Sequence, residues 1–203
     1  MKKIIFTLLF ASSIILTAQE KEEKTFTLSG SVDTYFRGNI SGGNFDTAPG
    51  SSFANQPGFA LGMINLVAGY EGEKVGFVAD MVYGPRGADA VFGSPAGSAQ
   101  IVNQLYAYWN VSEKVTLTLG NFNTFLGYEV ISPTANFNYS TSYLFSYGPF
   151  SHTGIKADIA LSENTSLMLA VMNPTDATEF NPTGNYAFGA QLGFSGQYIN
   201  FLL

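Results

Sequence analysis

Few side chains in this sequence are of the types that carry out chemistry. Its 203 residues include 15 acidic residues, 9 basic residues and a single histidine. There is no cysteine, which excludes a disulfide scaffold and a thiolate metal site. The chemistry open to the remaining groups is chiefly electrostatic, since charges that line an aqueous passage bias which solutes enter it.

Seven charged residues are candidates for such a role. One group lies in segments where polar and apolar side chains alternate, and comprises Asp33, Arg37, Asp80, Lys156 and Asp158. The other two, Arg86 and Glu129, lie at strand ends or in loops. In a pore, mixed signs create a transverse field, and a net sign selects solutes by charge. The alternative for each residue is that it only hydrates the lumen or pairs with a neighbour.

His152, the single histidine of the sequence, is the one residue that suggests an enzymatic interpretation. An outer-membrane hydrolase would need this imidazole beside a serine nucleophile, for which Ser151 and Ser140 are nominally available. One histidine next to a serine is a weak signal, because a catalytic triad depends on a spatial placement that spacing does not show. The sequence has no phosphate-binding glycine loop, paired-histidine motif or calcium loop. It therefore predicts no catalytic residues, no metal site and no cofactor.

The first residues predict export. Lys2 and Lys3 precede an apolar stretch, residues 4–18, that ends in the small residue Ala18 before a polar run. This pattern is typical of a secretory signal peptide over residues 1–18, with the mature domain at 19–203. A retained anchor is less favoured, because the stretch is shorter than the roughly 20 residues that a spanning helix needs. Cleavage leaves the mature chain acidic, so a nucleic-acid partner is not expected.

The composition points to a membrane protein without membrane-spanning helices. Charged residues make up 12% of the chain, about half the usual share of roughly 25%. Aromatic residues reach 15%. Beyond the signal peptide the longest apolar run, residues 59–70, is too short to cross a bilayer as a helix. A closed β-barrel is the other structure that satisfies every backbone polar group in hydrocarbon.

Alternation with a period of two predicts the strands. Residues 25–37 place Phe26, Leu28, Val32 and Phe36 on one face and polar side chains such as Asp33 on the other. Similar, less regular patterns predict strands at residues 59–70, 75–84, 104–110, 115–120, 154–161, 166–172 and 186–194, and the start of a ninth at 198–203. Eleven residues at about 3.3 Å each, tilted near 45°, rise about 25 Å, the height of the apolar band on membrane barrels.

The connections between these strands alternate in length. Short polar turns are predicted at residues 71–74, 112–114, 162–165 and 195–197, and long loops at 39–57, 85–99, 123–150 and 173–184. All short turns would then lie at one end of the sheet, as in transmembrane barrels. A soluble lipocalin-like barrel or adhesin sandwich could share the alternation, but its exterior should be rich in Lys and Glu. Here the polar face is mostly Thr, Ser, Tyr, Asn and Gly.

The loop at residues 123–150 is unusually aromatic. Its aromatic side chains include Tyr128, Tyr139 and Tyr143. So much apolar surface is not expected to remain free in water. We predict that the loop folds into the lumen and narrows it, with these three tyrosines as candidates for the constriction. The alternative is that parts of it extend the neighbouring strands into aromatic girdles.

Several segments resemble the OmpL-like β-barrel porins of Gram-negative outer membranes. They are residues 76–80, 84–86, 104–106, 126–129, 138–143, 145–150, 152–158 and 173–176. The similarity runs from about residue 28 to the end of the chain, and it is most specific across 127–158. The resemblance implies a pore-forming protein rather than an enzyme. Members of the family are considerably longer, so the chain is expected to be an incomplete porin, an eight-stranded barrel with a short tail being the alternative.

The sequence therefore predicts an all-β, antiparallel, up-and-down transmembrane barrel of about nine strands. Its expected function is passive diffusion of small hydrophilic solutes across the outer membrane. The expected partners are the lipid bilayer and small polar solutes, with a homo-oligomer left open. An outer-membrane hydrolase and a closed structural or adhesion barrel remain the alternatives.

Overall fold

The computed structural model describes residues 24–40, 55–91, 97, 99–196 and 200–202. The predicted signal peptide, residues 1–18, lies outside the described residues. So do most of the first long loop and parts of the second long loop and of the last turn. No helix in the described part of the chain is long and apolar enough to cross a membrane.

In the part of the chain that the structure describes, nine strands form one antiparallel sheet in chain order, which confirms the predicted all-β, up-and-down fold. Their bounds are β1 Thr25–Arg37, β2 Gly58–Glu71, β3 Val75–Tyr83, β4 Val102–Ser112, β5 Val115–Asn123, β6 Ser151–Ser162, β7 Thr165–Met172, β8 Ala187–Ser195 and β9 Asn200–Leu202. Two short helices, α1 Pro85–Ala90 and α2 Tyr143–Ser146, lie in the long loops. Among the described residues β1 pairs with β2, and β8 pairs with β7 and β9. This is the pairing of an incomplete barrel rather than of a closed eight-stranded one.

The two faces of the sheet differ in chemistry. We call the face that carries Asp33, Asp80 and Lys156 the inner face, and the opposite one the outer face. Large apolar side chains such as Val32, which is 76% exposed, lie on the outer face. The period of two keeps these side chains apart from the polar ones, because successive residues of a strand point to opposite faces.

A β-bulge in β2 keeps the outer face apolar along the whole strand. Val32 pairs with Ile64 and Thr34 pairs with Leu61, so Gly62 and Met63 together oppose a single residue of β1. The extra residue shifts the alternation by one position. Leu61 and Ile64 consequently share the outer face, whereas Met63 is buried on the inner face. Gly62 suits this position, because a Cβ atom there would lie 1.9 Å from Asp33 Oδ2.

Aromatic side chains mark both ends of the outer face. At the turn end Phe26 pairs with Tyr70, and the rings of Tyr70 and Phe77 stack with centroids 5.8 Å apart. At the loop end the rings of Phe36 and Phe59 lie 4.9 Å apart. The ten residue-to-residue steps from Phe26 to Phe36 correspond to about 33 Å of strand, or a rise of about 23 Å at a tilt near 45°. The two aromatic ends are therefore separated by about the height of a barrel's apolar band.

The connections follow the predicted alternation in length. The turns after β2, β4 and β6 are tight, whereas the connections after β3, β5 and β7 are long. All tight turns therefore lie at one end of the sheet and the long loops at the other, which is the asymmetry of transmembrane barrels.

Candidate functional site

The connection after β5, residues 124–150, lies across the inner face, and we call it the inner loop. Near its start Phe125 packs against a buried cluster that contains Phe122 and Met172. The side chain of Gln191, on β8, donates its Nε2 hydrogen to the Phe125 carbonyl at 2.7 Å. This end of the loop is thus attached to the inner face of the last strands.

The middle of the inner loop contacts the first strands. Ile131 is buried with Met63 of β2 and Val82 of β3, whose side chains both point inward. The Tyr139 hydroxyl donates a hydrogen bond of 2.7 Å to Asp33 Oδ1 on β1. Together with the contacts of Phe125, the contacts of Ile131 and Tyr139 show that the loop extends across the sheet from the last strands to the first. The structure therefore brings the predicted constriction residue Tyr139 to the predicted pore-lining residue Asp33.

Arg86, on α1, holds the inner loop from within. It is fully buried, at 0% exposure. Its Nε donates to the Ile131 carbonyl and its Nη1 to the Tyr139 carbonyl, each at 3.2 Å. The guanidinium also lies over the Tyr139 ring, 5.4 Å from the centroid. The fixed fork of an arginine suits this task, because its donors reach two carbonyls of one segment at once.

The charges around Arg86 and Tyr139 are consistent with this contact. Burial lowers the pKa of Arg86, and the nearby charge of Asp33 opposes that shift. Burial and the hydrogen bond to Asp33 raise the pKa of Tyr139, so its hydroxyl keeps the proton that it donates. An arginine remains charged in proteins even when its pKa falls somewhat. Asp33, Tyr139 and Arg86 therefore form one anchored group, which we call the loop anchor.

The other loop candidates have different surroundings. Glu129 accepts hydrogen bonds from the backbone N–H of Ser142, at 2.8 Å, and from its hydroxyl. Ser142 in turn caps α2, so Glu129 stabilises the fold of the loop itself. Tyr128 and Tyr143 are exposed, and the ring of Tyr143 stacks on that of Tyr147. Neither belongs to the loop anchor.

Asp80 lies at the centre of a group of amides that sequence reasoning did not identify. Its carboxylate accepts hydrogen bonds from the side chains of Asn65, Asn103, at 2.8 Å, and Gln104, at 3.0 Å. Asn103 and Gln104 are consecutive, and both reach Asp80 because β4 has a bulge opposite Asp80 and Met81. All but Gln104 are buried. Their arrangement compensates a carboxylate inside the wall, where an uncompensated charge would be costly.

Replacing Asp80 with leucine is expected to lower the free energy of unfolding by about 2–4 kcal/mol, because the amides of Asn103 and Gln104 lose their acceptor. Urea unfolding of the protein in lipid vesicles measures this change. Asp158→Leu is the matched control, since Asp158 is 44% exposed and its ion pair is expected to contribute at most about 1 kcal/mol. Equal losses in the two variants would contradict a special role for the amide group.

The remaining candidates lie at separate places. Lys156 and Asp158 form an ion pair of 2.6 Å on the inner face of β6. Lys156 Nζ also lies 5.5 Å from the centre of the Phe122 ring. Arg37, at the loop end of β1, donates to the Asn55 carbonyl at 3.3 Å. The charges of the inner face are thus mixed in sign and mostly engaged with neighbours.

His152 is buried on the inner face beside the start of the inner loop. Its Nε2 lies 3.0 Å from the Thr124 hydroxyl oxygen, and its ring lies 4.7 Å from that of Phe125. The hydroxyl that this nitrogen contacts is therefore that of a threonine, not of Ser151 or Ser140. Among the described residues no group of three or more His, Asp or Glu side chains is placed to hold a metal ion.

A comparison with protein families gives one match. The family model described as "Putative beta-barrel porin-2, OmpL-like" matches residues 25–200. Searches of the curated proteins and of the solved structures gave no match. The family match spans every strand from β1 to β8 and reaches the first residue of β9.

Proposed function

The chain belongs to the OmpL-like β-barrel porin family, and from this premise we propose that it lets small hydrophilic solutes diffuse passively across the outer membrane. The path of the solutes is the water-filled space on the inner face. The proposal includes export by the signal peptide, residues 1–18. The porin family favours a role without catalysis, and the contacts of His152 provide no support for a hydrolase.

The observation that carries this proposal is the difference between the two faces of the sheet. The outer face presents exposed aliphatic side chains between two aromatic ends. The inner face presents carboxylates, amides, hydroxyls and lysine. A barrel wall in a membrane needs this division, with lipid on one side and water on the other.

The charges of the inner face suggest weak ion selectivity. Asp80 and Arg86 are buried, and the more accessible carboxylates of Asp33 and Asp158 are accompanied by Lys156, so neither sign dominates the lining. Arg37 adds a positive charge near the loop end. The negative charge of Glu129 belongs to the inner loop, where it bonds to Ser142, and not to the strands of the wall. Fixed charges of mixed sign create a transverse field without a strong preference for anions or cations.

Planar-bilayer recording with the purified, folded protein tests the proposal. We expect discrete, long-lived conductance steps with a small difference between cation and anion permeability. A folded preparation that inserts into bilayers but gives no steps would contradict passive diffusion and favour a closed structural or adhesion barrel.

A pair of valine substitutions tests whether the outer face meets lipid. Val32 lies near the middle of the outer face, and Val75 lies at the turn end, paired with Trp109; both are exposed. Val32→Arg is expected to cost about 2–4 kcal/mol in vesicles, and Val75→Arg about 0–1 kcal/mol, because the cost of an arginine depends on its depth in the bilayer. Urea unfolding in vesicles measures both. Similar, small costs would indicate that the outer face is in water.

A further inference from the structure

A cavity of about 340 Å³ lies on the inner face between β4, β5 and β6. Its volume falls within the range of about 300–1,000 Å³ that is typical of sites for small ligands. The inner loop closes one side through Phe125, and Gln191 of β8 contributes another part of the lining. The cavity is therefore a defined recess beside the path proposed for solutes.

Two tyrosine rings dominate one wall of this cavity. Tyr106 and Tyr108 lie two positions apart on β4, so their side chains share the inner face. Phe122 of β5 adds a third ring. Flat aromatic surfaces offer apolar contact to the C–H faces of a ligand. A ligand suited to this wall has flat apolar faces of its own.

The polar groups of the lining suit hydroxyl groups. Within the described part of the chain, the hydroxyls of Tyr106, Tyr108 and Thr118 have no hydrogen-bond partner. Each of them can donate and accept a hydrogen bond. The side chain of Gln191 is held in place by its bond to the Phe125 carbonyl. A ligand that carries several hydroxyls could pair with these groups in either direction.

The charges of the lining favour a neutral ligand. Lys156 and Asp158 are its two charged residues, and they pair with each other at 2.6 Å. A charged solute would have to separate this pair to gain an ionic contact. A hydroxyl group, in contrast, can donate to the carboxylate or accept from the ammonium while the pair stays intact.

We infer that this cavity is a transient binding site for a neutral polyhydroxylated solute, a monosaccharide or short oligosaccharide, that passes through the pore. The inference rests on the proposed function and names its substrate class. The sugar rings stack on Tyr106 and Tyr108, and the sugar hydroxyls bond to Thr118 and to the Lys156–Asp158 pair.

Ion-current recording in the presence of maltotriose tests this site. We expect a saturable decrease in current, whereas a polyethylene glycol of similar size gives no saturation. Tyr106→Leu is expected to raise the half-blocking concentration about tenfold, which corresponds to about 1.4 kcal/mol. Tyr106→Phe keeps the ring and loses only the hydroxyl, so its effect is expected to be much smaller than that of Tyr106→Leu. Tyr83→Leu, on the outer face, is the matched control and is expected to have no effect; Tyr108→Leu replaces Tyr106→Leu if the latter does not fold.

The outcomes separate this inference from the proposed function. Ion current without a saturable block, or a block that Tyr106→Leu leaves unchanged, overturns the sugar site and leaves the pore standing. A stronger block by a charged sugar acid than by maltotriose overturns the preference for neutral ligands. Absence of any current contradicts the pore, and calorimetric titration of the folded protein in detergent with maltotriose then decides whether the site binds sugar.

Discussion

Deletion of residues 134–142 is expected to raise the single-channel conductance severalfold. The deleted segment contains Tyr139, which bonds to Asp33 on β1, and it lies in the inner loop that crosses the inner face. Conductance rises with the water-filled cross-section of a pore, and in the pore proposed above this segment would occupy part of that cross-section. The strands keep their pairing, because every ladder lies outside the deletion. Planar-bilayer recording of the variant measures the change.

A second deletion provides the control for this experiment. Residues 179–184 belong to the loop between β7 and β8 and are mostly exposed. Their removal also shortens one of the long loops, but it leaves the contacts of the inner loop with Asp33 and Met63 intact. We expect the conductance of this control to match that of the wild type. An unchanged conductance after deletion of 134–142 would mean that the inner loop does not limit the flow of ions.

Replacement of Arg86 by methionine is expected to release the inner loop. The carbonyls of Ile131 and Tyr139 lose their buried donor, and Asp33 loses the nearby positive charge. A buried carbonyl that loses its donor typically costs about 1–3 kcal/mol. Chymotrypsin cleavage within the loop, measured in detergent micelles, is expected to accelerate by more than about tenfold, since about 1.4 kcal/mol of lost docking free energy is enough for that. The same variant should show noisier open-channel current.

Arg37→Met separates loss of charge from loss of the loop anchor. It removes the same guanidinium group from the inner side of the wall, but Arg37 donates to the Asn55 carbonyl, ahead of β2. The cleavage rate of this control is expected to stay near that of the wild type. If both variants accelerate cleavage equally, the loop responds to net charge and not to the contacts of Arg86.

The wall could be predicted from the sequence because most of it follows one local rule. In β1 every residue from Phe26 to Arg37 keeps the period of two, and the structure confirms both faces. The rule fails in residues 59–70, where nearly every residue is apolar and no phase can be read. The bulge at Gly62 and Met63 decides the phase there, and it depends on pairing with Asp33 in another strand.

The groups that join distant segments could not be predicted in the same way. Asp33 and Tyr139 were each identifiable as candidates, but 106 residues separate them, and only the fold brings them together. Asn103 and Gln104 are neighbours that a regular strand would send to opposite faces. Their joint contact with Asp80 requires the bulge in β4, for which the residue types give no signal. The roles of these residues as pore lining or constriction remain predictions.

The position of the surface on which the inner loop docks has a consequence for the order in which the molecule folds. The loop follows β5 in the chain, but the docking surface of its middle is built from Asp33, Met63, Val82 and Arg86, on elements that precede β4. Contacts between residues so far apart in the chain cost more loop-closure entropy than local contacts, and they therefore form more slowly. The hairpins of the early strands must therefore pair before the middle of the loop can dock, and a sheet that has paired without the docked loop leaves more of its inner face open.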